Sequence, residues 1–197
     1  LSTSMQRLAA NLMEAKIMNQ FEAELQEFLG ADNLAKIQAL TVGIVGAGGL
    51  GSNCAFNLVR SGFNSFVIAD FDSVEVSNLN RQFYFQEQVG QAKVAALKEN
   101  LLAINSNLDL EMVAQKVTAE NIAELFKSCD IIVEACDQVA SKKLVVEEFM
   151  NSDKLLVAAS GVAGWGQSDE IQTNRVNHNF YLVGDGKSEV GAKVPPL

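Results

Sequence analysis

Three glycines and one aspartate in this 197-residue chain have the types and spacing needed to bind a nucleotide. Gly46, Gly48 and Gly51 fit the pattern G-x-G-x-x-G, and Asp70 ends a second apolar run about 20 residues later. The first glycine permits a tight turn, the second lets backbone approach a phosphate, and the third lets a helix pack on a strand. An acid in the position of Asp70 accepts hydrogen bonds from ribose hydroxyls. The pattern alone fits NAD as well as other nucleotides.

The polar residues after Asp70 favour ATP over NAD. Asn78, Arg81 and Gln82 are spaced to fall on one face of a short helix. Arg81 carries a planar guanidinium that suits phosphate oxygens, and Lys93 opens a later helix with a second cation. Two cations near one glycine turn suit a triphosphate, whereas an NAD-dependent oxidoreductase would leave these residues without a shared purpose. Surface salt bridges are the alternative role for both cations.

Asp137 directly follows the apolar run 130–136. This places it at the carboxyl edge of the predicted sheet, where it faces the same crevice. Its carboxylate can hold magnesium, which offsets the charge that develops in phosphoryl transfer. The alternative role is the N-cap of the helix that starts near Gln138, and the two roles are compatible.

Apolar strands and amphipathic helices alternate along the chain. The predicted strands are 41–45, 66–70, 110–114, 130–134 and 154–159, and the predicted helices are 49–61, 90–104, 119–127 and 139–150. This alternation predicts a Rossmann-like, doubly wound α/β fold, with a mainly parallel sheet and helices on both faces. Segments 169–176 and 179–184 predict an antiparallel pair, which forms a C-terminal extension.

The first forty residues predict helices only. Apolar residues recur at helical spacing over 4–29, and a second short helix, 32–39, has Asp32 as a candidate cap. We expect 1–40 to be a helical segment packed on a nucleotide-binding domain, 41–197. The apolar stripe of the first helix fits packing in this chain's own core and contact with a second copy equally well. The end at 194–197 has the composition of a loop, so we expect a truncated C-terminus.

Composition excludes several classes of protein. The net charge of −9 disfavours nucleic acid as a partner. No apolar run approaches the roughly 20 residues of a membrane span, and no secretory signal is visible, so we expect a cytoplasmic protein. Cys54, Cys129 and Cys136 form no C-x-x-C pair, so no zinc is expected. Buried, reduced thiols are the favoured interpretation, with a catalytic thiol at Cys136 as the alternative. The single histidine, His178, is predicted to be a turn residue.

Taken together, the motifs resemble the ThiF/MoeB/HesA family, the bacterial relatives of ubiquitin-activating enzymes. The motifs occur in one order: Gly46-x-Gly48-Gly49-Leu50-Gly51, Asp70-x-Asp72-x-Val74, Ser77-Asn78-Leu79-Asn80-Arg81-Gln82, Gly90-x-x-Lys93 and Asp137. The resemblance runs from about residue 38 to the end. It is strongest to the short ThiF proteins of thiamine biosynthesis, through Asn53 and through residues 57–63 and 80–85.

The resemblance implies an adenylyltransferase that uses magnesium-ATP. Its substrate would be the C-terminal glycine carboxylate of a small ubiquitin-like sulfur carrier ending in Gly-Gly, ThiS, in the synthesis of the thiamine thiazole. A carrier of the molybdopterin-synthase type, or dehydration of a modified tRNA base, is the alternative substrate. The family also implies a homodimer.

The family's site roles can be carried over position by position. They imply that the turn holding Gly46, Gly48, Gly49 and Gly51 binds ATP, with Asp70 on the ribose and Asp72 nearby. Asn78, Arg81 and Lys93 would contact phosphates, Gln82 would lie at the same site, and Asp137 would hold magnesium. Arg81, Lys93 and Asp137 form the expected catalytic set. Two family features are missing from the sequence, the C-x-x-C zinc pairs and an N-terminal Tyr-x-Arg-Gln segment, and Arg7 is the only early arginine.

Overall fold

The computed structural model describes residues 17–160 and 168–187, which form one seven-stranded sheet flanked by helices. The helices are α1 Gln20–Leu29, α2 Ala31–Gln38, α3 Gly49–Arg60, α4 Lys93–Leu102, α5 Ile122–Leu125 and α6 Val139–Phe149. The strands are β1 Thr41–Val45, β2 Ser65–Ala69, β3 Asp109–Val113, β4 Ile131–Glu134, β5 Leu155–Ser160, β6 Gln172–Arg175 and β7 Phe180–Gly184. Short 3₁₀ turns cover Val76–Asn78, Gln86–Gln88 and Ser168–Glu170.

The strand order confirms the predicted doubly wound sheet with an antiparallel extension. The order is β3-β2-β1-β4-β5-β7-β6. All neighbouring strands run parallel except β6 and β7, which form an antiparallel pair, and β7 joins the main sheet parallel to β5. The chain winds one way from β1 to β3 and the other way from β4, so the switch point lies between β1 and β4. In such sheets ligands bind in the crevice beyond the carboxyl ends of the strands at this point.

Each face of the sheet buries its own apolar cluster. One cluster packs α3 and α4 against the sheet through residues such as Val59, Leu97 and Ile44. The other packs α5 and α6 against the opposite face through residues such as Phe126 and Phe149. Strands covered on both faces need apolar side chains in both directions, which is why their sequences are nearly continuous apolar runs.

The prediction of one helix over 4–29 is wrong at residues 17–19, and its first part, 1–16, lies outside the described residues. Asn19 starts α1 with a capping box: its Oδ1 accepts the Glu22 N–H at 2.9 Å, and Glu22 Oε2 accepts the Asn19 N–H at 3.2 Å. These reciprocal bonds satisfy donors that a helix start leaves unpaired. Asp32 is not a cap, because Gly30 occupies the N-cap of α2 and Asp32 lies in the first turn.

Two further helices are shorter than predicted. The helix expected over 90–104 begins only at Lys93. Gly90 has a φ of +92°, which is not helical, and it donates its N–H to the Val74 carbonyl at 2.8 Å. The helix expected over 119–127 covers four residues, Ile122–Leu125. The face expected to carry Asn78, Arg81 and Gln82 is not a regular helix, since the 3₁₀ turn ends at Asn78. No helix in the described residues is long and apolar enough to span a membrane.

Candidate functional site

The turn after β1 contains glycines with two different tasks. Gly46 has a φ of +100°, and a Cβ there would lie 2.8 Å from the Ala135 carbonyl oxygen. A Cβ on Gly51 would lie 1.8 Å from the Gly46 carbonyl oxygen, so α3 approaches the turn more closely than any side chain allows. Gly48 and Gly49 are different, since their nearest neighbours are the side chains of Gln82 and Arg81, at 3.9 and 3.7 Å from the Cβ positions. These two glycines therefore face residues 81 and 82.

The carboxylate of Asp70 joins the glycine turn to the loop after β2. Its Oδ2 accepts the Ala47 N–H at 2.7 Å and its Oδ1 accepts the Asp72 N–H at 2.8 Å. Each carboxylate oxygen retains a second acceptor site, so these bonds leave capacity for a hydroxyl donor.

A cavity of about 220 Å³ brings most of the predicted polar residues together. Its lining residues are Asp72, Ser73, Glu75, Asn78, Arg81, Gln82, Lys93 and Asp137. All three residues of the expected catalytic set are therefore in one place. The four glycines and Asp70 lie outside this lining, but the turn adjoins it through Gly48 and Gly49 and through Asp70, whose carboxylate also accepts the N–H of Asp72. Sequence reasoning missed Ser73 and Glu75, although both lie between two predicted site residues.

The two cations of the cavity are held in different ways. Arg81 donates from Nη1 to the Ser77 carbonyl at 3.0 Å and to Asn80 Oδ1 at 2.8 Å, so a single nitrogen makes both bonds. Lys93 is buried, and its Nζ pairs with Asp72 Oδ2 at 2.9 Å. A buried ammonium needs such a partner, because desolvation of an unpaired charge is costly. Asp72 thus contacts the cation expected to bind phosphate.

Two amide side chains line the cavity in contrasting states. Asn78 is buried, and its Oδ1 accepts the Glu75 N–H at 3.0 Å, which fixes the 3₁₀ turn. Gln82 Oε1 is buried without a hydrogen-bond partner among the described residues. A buried acceptor of this kind is costly and marks a place where a ligand or water supplies the donor.

The acidic residues of the cavity fit magnesium only together with a phosphate ligand. No group of three or more His, Cys, Asp or Glu suited to a metal ion occurs among the described residues. Magnesium in nucleotide sites takes one or two carboxylates, with phosphate oxygens and waters completing its shell. Asp137, exposed after β4, can supply such a carboxylate. The N-cap role predicted for Asp137 is wrong, because Gln138 is the N-cap of α6.

Cys136 and His178 take no part in the cavity. Burial raises the pKa of the Cys136 thiol to about 12, and the nearby carboxylate of Glu134 adds to the shift. The thiol is thus protonated at neutral pH, which disfavours the nucleophilic role. His178 lies in the exposed turn between β6 and β7, where its carbonyl accepts a bond from Arg175 Nη2 at 2.8 Å.

A buried ion pair beside the cavity was not anticipated from the sequence. Glu134, at the end of β4, accepts the Cys136 N–H at 2.7 Å and pairs through Oε2 with Lys142 Nζ at 3.0 Å. Lys142 also donates to the Ala159 carbonyl at 3.1 Å. The available signal was an acid inside an apolar run, with a lysine eight residues later on the following helix.

A larger cavity, of about 340 Å³, lies away from these residues at the carboxyl ends of β5 and β7. Its lining residues are Ser160, Asp169, Glu170, Gln172, Asn174, Leu182, Gly184, Asp185, Gly186 and Lys187. The one cation among them, Lys187, is 79% exposed and lies 3.8 Å from Glu170. An acidic lining with one solvated cation repels a triphosphate, so the smaller cavity is the candidate nucleotide site despite its size.

Comparison with known proteins agrees with the resemblance inferred from the motifs. The model of the ThiF family matches residues 21–181. This chain belongs to the ThiF family. One relative of this ThiF-family chain is the sulfur carrier protein ThiS adenylyltransferase of Bacillus subtilis (strain 168), 41% identical over 125 residues that cover 62% of this chain and 37% of the relative. Another is the SUMO-activating enzyme subunit 2 of Dictyostelium discoideum. It is 31% identical over 161 residues, which cover 80% of this chain and 24% of the relative.

The chain spans less than half the length of the curated relatives it matches. Among solved structures, Escherichia coli tRNA N6-threonylcarbamoyladenosine dehydratase, TcdA, is 26% identical, with a TM-score of 0.73 over 81% of this chain and 68% of that one. The structure of TcdA in complex with ATP is 21% identical, with a TM-score of 0.80 over 90% of this chain and 87% of that one. It thus shares the fold.

Proposed function

We propose that this ThiF-family chain is an adenylyltransferase that uses ATP to activate the C-terminal carboxylate of a small ubiquitin-like carrier protein, with ThiS as the first candidate. The observation that carries the proposal is the meeting of Arg81, Lys93 and Asp137 around one cavity, next to the glycine turn at the switch point of the sheet. Relatives named as adenylyltransferases, including the Bacillus subtilis ThiS enzyme, support it.

The proposed reaction needs charge neutralisation more than proton transfer. The attacking carboxylate is ionised at pH 7, so no general base is required. It attacks the α-phosphorus, the bond between the α-phosphorus and its bridging oxygen breaks, and pyrophosphate leaves with the electron pair. The carrier then ends in an acyl adenylate. Both reactants are anions, so cations at Arg81 and Lys93 reduce their repulsion while the cavity positions them.

Each remaining residue has a proposed task. The N–H groups of the glycine turn and the amides of Asn78 and Gln82 would donate to phosphate oxygens, and Gln82 Oε1 would gain a partner from the bound substrate. Asp70 would accept a ribose hydroxyl through its free acceptor sites. Asp137 would hold magnesium, which supplies positive charge at the phosphates when bound. We also propose a cytoplasmic location, since the reaction consumes ATP, and a homodimer, as the family resemblance implies.

Dehydration of a modified tRNA base is the second candidate activity. The likeness to TcdA, with a TM-score of 0.73 at 26% identity, favours it. The net charge of −9 opposes it, because nucleic acid binding relies on basic surface. A carrier of the molybdopterin-synthase type is the nearest alternative partner, and the likeness to MOCS3 from Anopheles gambiae, 34% identical over 140 residues, supports it.

Exchange of labelled pyrophosphate into ATP tests the proposal directly. We expect exchange only when magnesium and a carrier with an intact Gly-Gly end are both present, with ThiS more effective than a molybdopterin-type carrier. A carrier lacking the last glycine is the matched control. Exchange driven by the second carrier alone would change the partner but keep the activity. Tight binding of NADH, seen by its fluorescence, would overturn the proposal if magnesium-ATP neither displaces the NADH nor protects the chain against unfolding.

A further inference from the structure

Two consecutive side chains of α3 connect the glycine turn to the arginine segment, which we define as residues 81–84. Ser52 is fully buried; its Oγ donates to the Gly48 carbonyl at 2.7 Å and accepts the Phe83 N–H at 3.0 Å. Asn53 Nδ2 donates to the Gly49 carbonyl at 2.7 Å and to the Arg81 carbonyl at 2.8 Å. Each side chain thus bonds the turn and the arginine segment at once.

A third side chain makes the same connection from the other direction. Tyr84, in the arginine segment, donates its hydroxyl to the Ala47 carbonyl at 2.7 Å. Burial raises the pKa of Tyr84, and the carboxylates of Asp70 and Asp72 add to the shift, so the hydroxyl stays protonated as a donor. The turn, residues 47–49, is therefore bonded to three of the four residues of the arginine segment.

The arginine segment depends on such side-chain bonds because it belongs to no helix or strand. A further side-chain bond comes from α4, where Asn100 Nδ2 donates to the Phe83 carbonyl at 2.8 Å. Helix α4 begins at Lys93, the second cation of the cavity. Within the segment, the N–H groups of Arg81 and Gln82 donate to the Asn78 carbonyl at 3.2 and 2.9 Å, which shapes the local turn. These local bonds do not reach the glycine turn, so the side-chain bonds fix the position of the segment relative to it.

We propose that Ser52 and Asn53 are positioning residues that hold the Arg81 guanidinium and the Gln82 amide at the cavity of about 220 Å³, which we name the phosphate cavity. This inference rests on the proposed function for its link to ATP. Neither residue lines the cavity, so neither is a catalytic residue. Asn53 is the more informative of the two, because it bonds the residue that carries the guanidinium and is only partly buried.

The test compares Asn53→Ala with Asn57→Ala. Asn57 lies one turn later on α3, where its Nδ2 donates to the Asn53 carbonyl at 2.7 Å and bonds no part of the arginine segment. We expect faster hydrogen exchange in a peptide covering residues 79–86 for Asn53→Ala only. We also expect about tenfold weaker binding of a fluorescent ATP analogue for Asn53→Ala, and no change for Asn57→Ala.

A double-mutant cycle separates positioning from a general loss of stability. If Asn53 acts through Arg81, the double variant Arg81→Ala/Asn53→Ala binds the analogue no more weakly than Arg81→Ala alone. An equal loss of analogue binding in the wild-type and Arg81→Ala backgrounds would overturn the proposal. Unchanged hydrogen exchange over residues 79–86 in Asn53→Ala would overturn it as well. Should Asn53→Ala fail to fold, Asn53→Leu takes its place, because it keeps a similar size and a good helix former while removing both donated bonds without adding a charge. A wild-type chain that binds no analogue would refute the proposed function, while hydrogen exchange still decides whether Asn53 holds the segment.

Discussion

The two cavities of this protein lie along the same edge of one sheet but differ in how they hold cations. The phosphate cavity, beside β1 and β4, is lined by two cations and three carboxylates, and the acidic cavity, beside β5 and β7, by one cation and three carboxylates. Their formal charges thus differ by one unit. Lys93 is buried against Asp72, however, whereas Lys187 is 79% exposed. A desolvated cation interacts more strongly with an anion than a solvated one, so placement matters more than the charge count.

Close backbone approach at a glycine does not distinguish the two regions. A Cβ on Gly51 would lie 1.8 Å from the Gly46 carbonyl oxygen, and a Cβ on Gly184 would lie 1.6 Å from the Ser160 carbonyl oxygen. Both glycines allow neighbouring backbones to pack. Only the first is accompanied by a buried cation, Lys93, at a switch point, which explains why a glycine pattern alone is weak evidence for a nucleotide.

The largest expected effect is that of Arg81→Ala, which removes the guanidinium from the phosphate cavity. We expect pyrophosphate exchange to fall by about 10²- to 10³-fold, the usual loss for one group that stabilises developing charge. The matched control, Lys187→Ala, removes a cation from the acidic cavity and should keep exchange within about twofold. Equal losses in the two variants would erase the distinction between the cavities.

Asp137→Asn should show the next largest effect and depend on magnesium. At low magnesium we expect exchange to fall about 10²-fold, and added magnesium should restore part of it because the binding of the ion is weakened. Asp169→Asn alters the acidic cavity and should leave the magnesium dependence unchanged. Near-normal exchange by Asp137→Asn at low magnesium would remove the metal role.

Lys93→Met should raise the KM for ATP by about tenfold, because it removes a cation that binds ground state and transition state alike. Its partner Asp72 is half-exposed, so water can solvate the carboxylate left behind and the melting temperature should change little. Lys98→Met, on the exposed face of the same helix, is the control. A large drop in melting temperature with unchanged KM would make Lys93 a structural cation.

The smallest effect is expected for Cys136→Ala, which should keep exchange within about twofold at neutral pH because the thiol is protonated there. Its pKa of about 12 lies above the ordinary value of 9.0, so folding favours the protonated thiol. The unfolded state therefore loses this proton first, and stability falls as the pH rises from 9 towards 12. Melting temperatures at pH 8 and pH 10 should fall less steeply for Cys136→Ala than for wild type. Identical slopes would contradict this.

Sequence patterns identified the elements that build the sheet and most of the residues that line the phosphate cavity, with Ser73 and Glu75 missed. Burial on both faces leaves a strong local signal in the inner strands β1, β2, β4 and β5, whereas β3 lies at the edge of the sheet and has no buried residue. The meeting of Arg81, Lys93 and Asp137 followed from placing each after a strand or at a helix start on one sheet edge. Their proposed roles stay predictions until the exchange experiments are done.

The errors arose where non-local pairing or a local cap overrides periodicity. Apolar residues on both sides of Asn19 continued the helical pattern, although Asn19 and Glu22 have capping-box spacing. Residues 90–92 looked helical, but Ala92 pairs with Ser73 across the loop, a contact that no local pattern indicates. The bonding role of Ser52 and Asn53 was not predicted, because their bonds reach backbone about thirty positions away.

The ion pair of Glu134 and Lys142 restricts how the end of β4 can be redesigned. The Glu134 side chain is 1% exposed, and Lys142 is its only cationic neighbour within ion-pair distance in the described part of the chain. Replacing the lysine alone would strand a negative charge inside the protein, while exchanging both for apolar residues of similar volume can be neutral. Any engineered or diverged version of this chain should therefore change these two positions together.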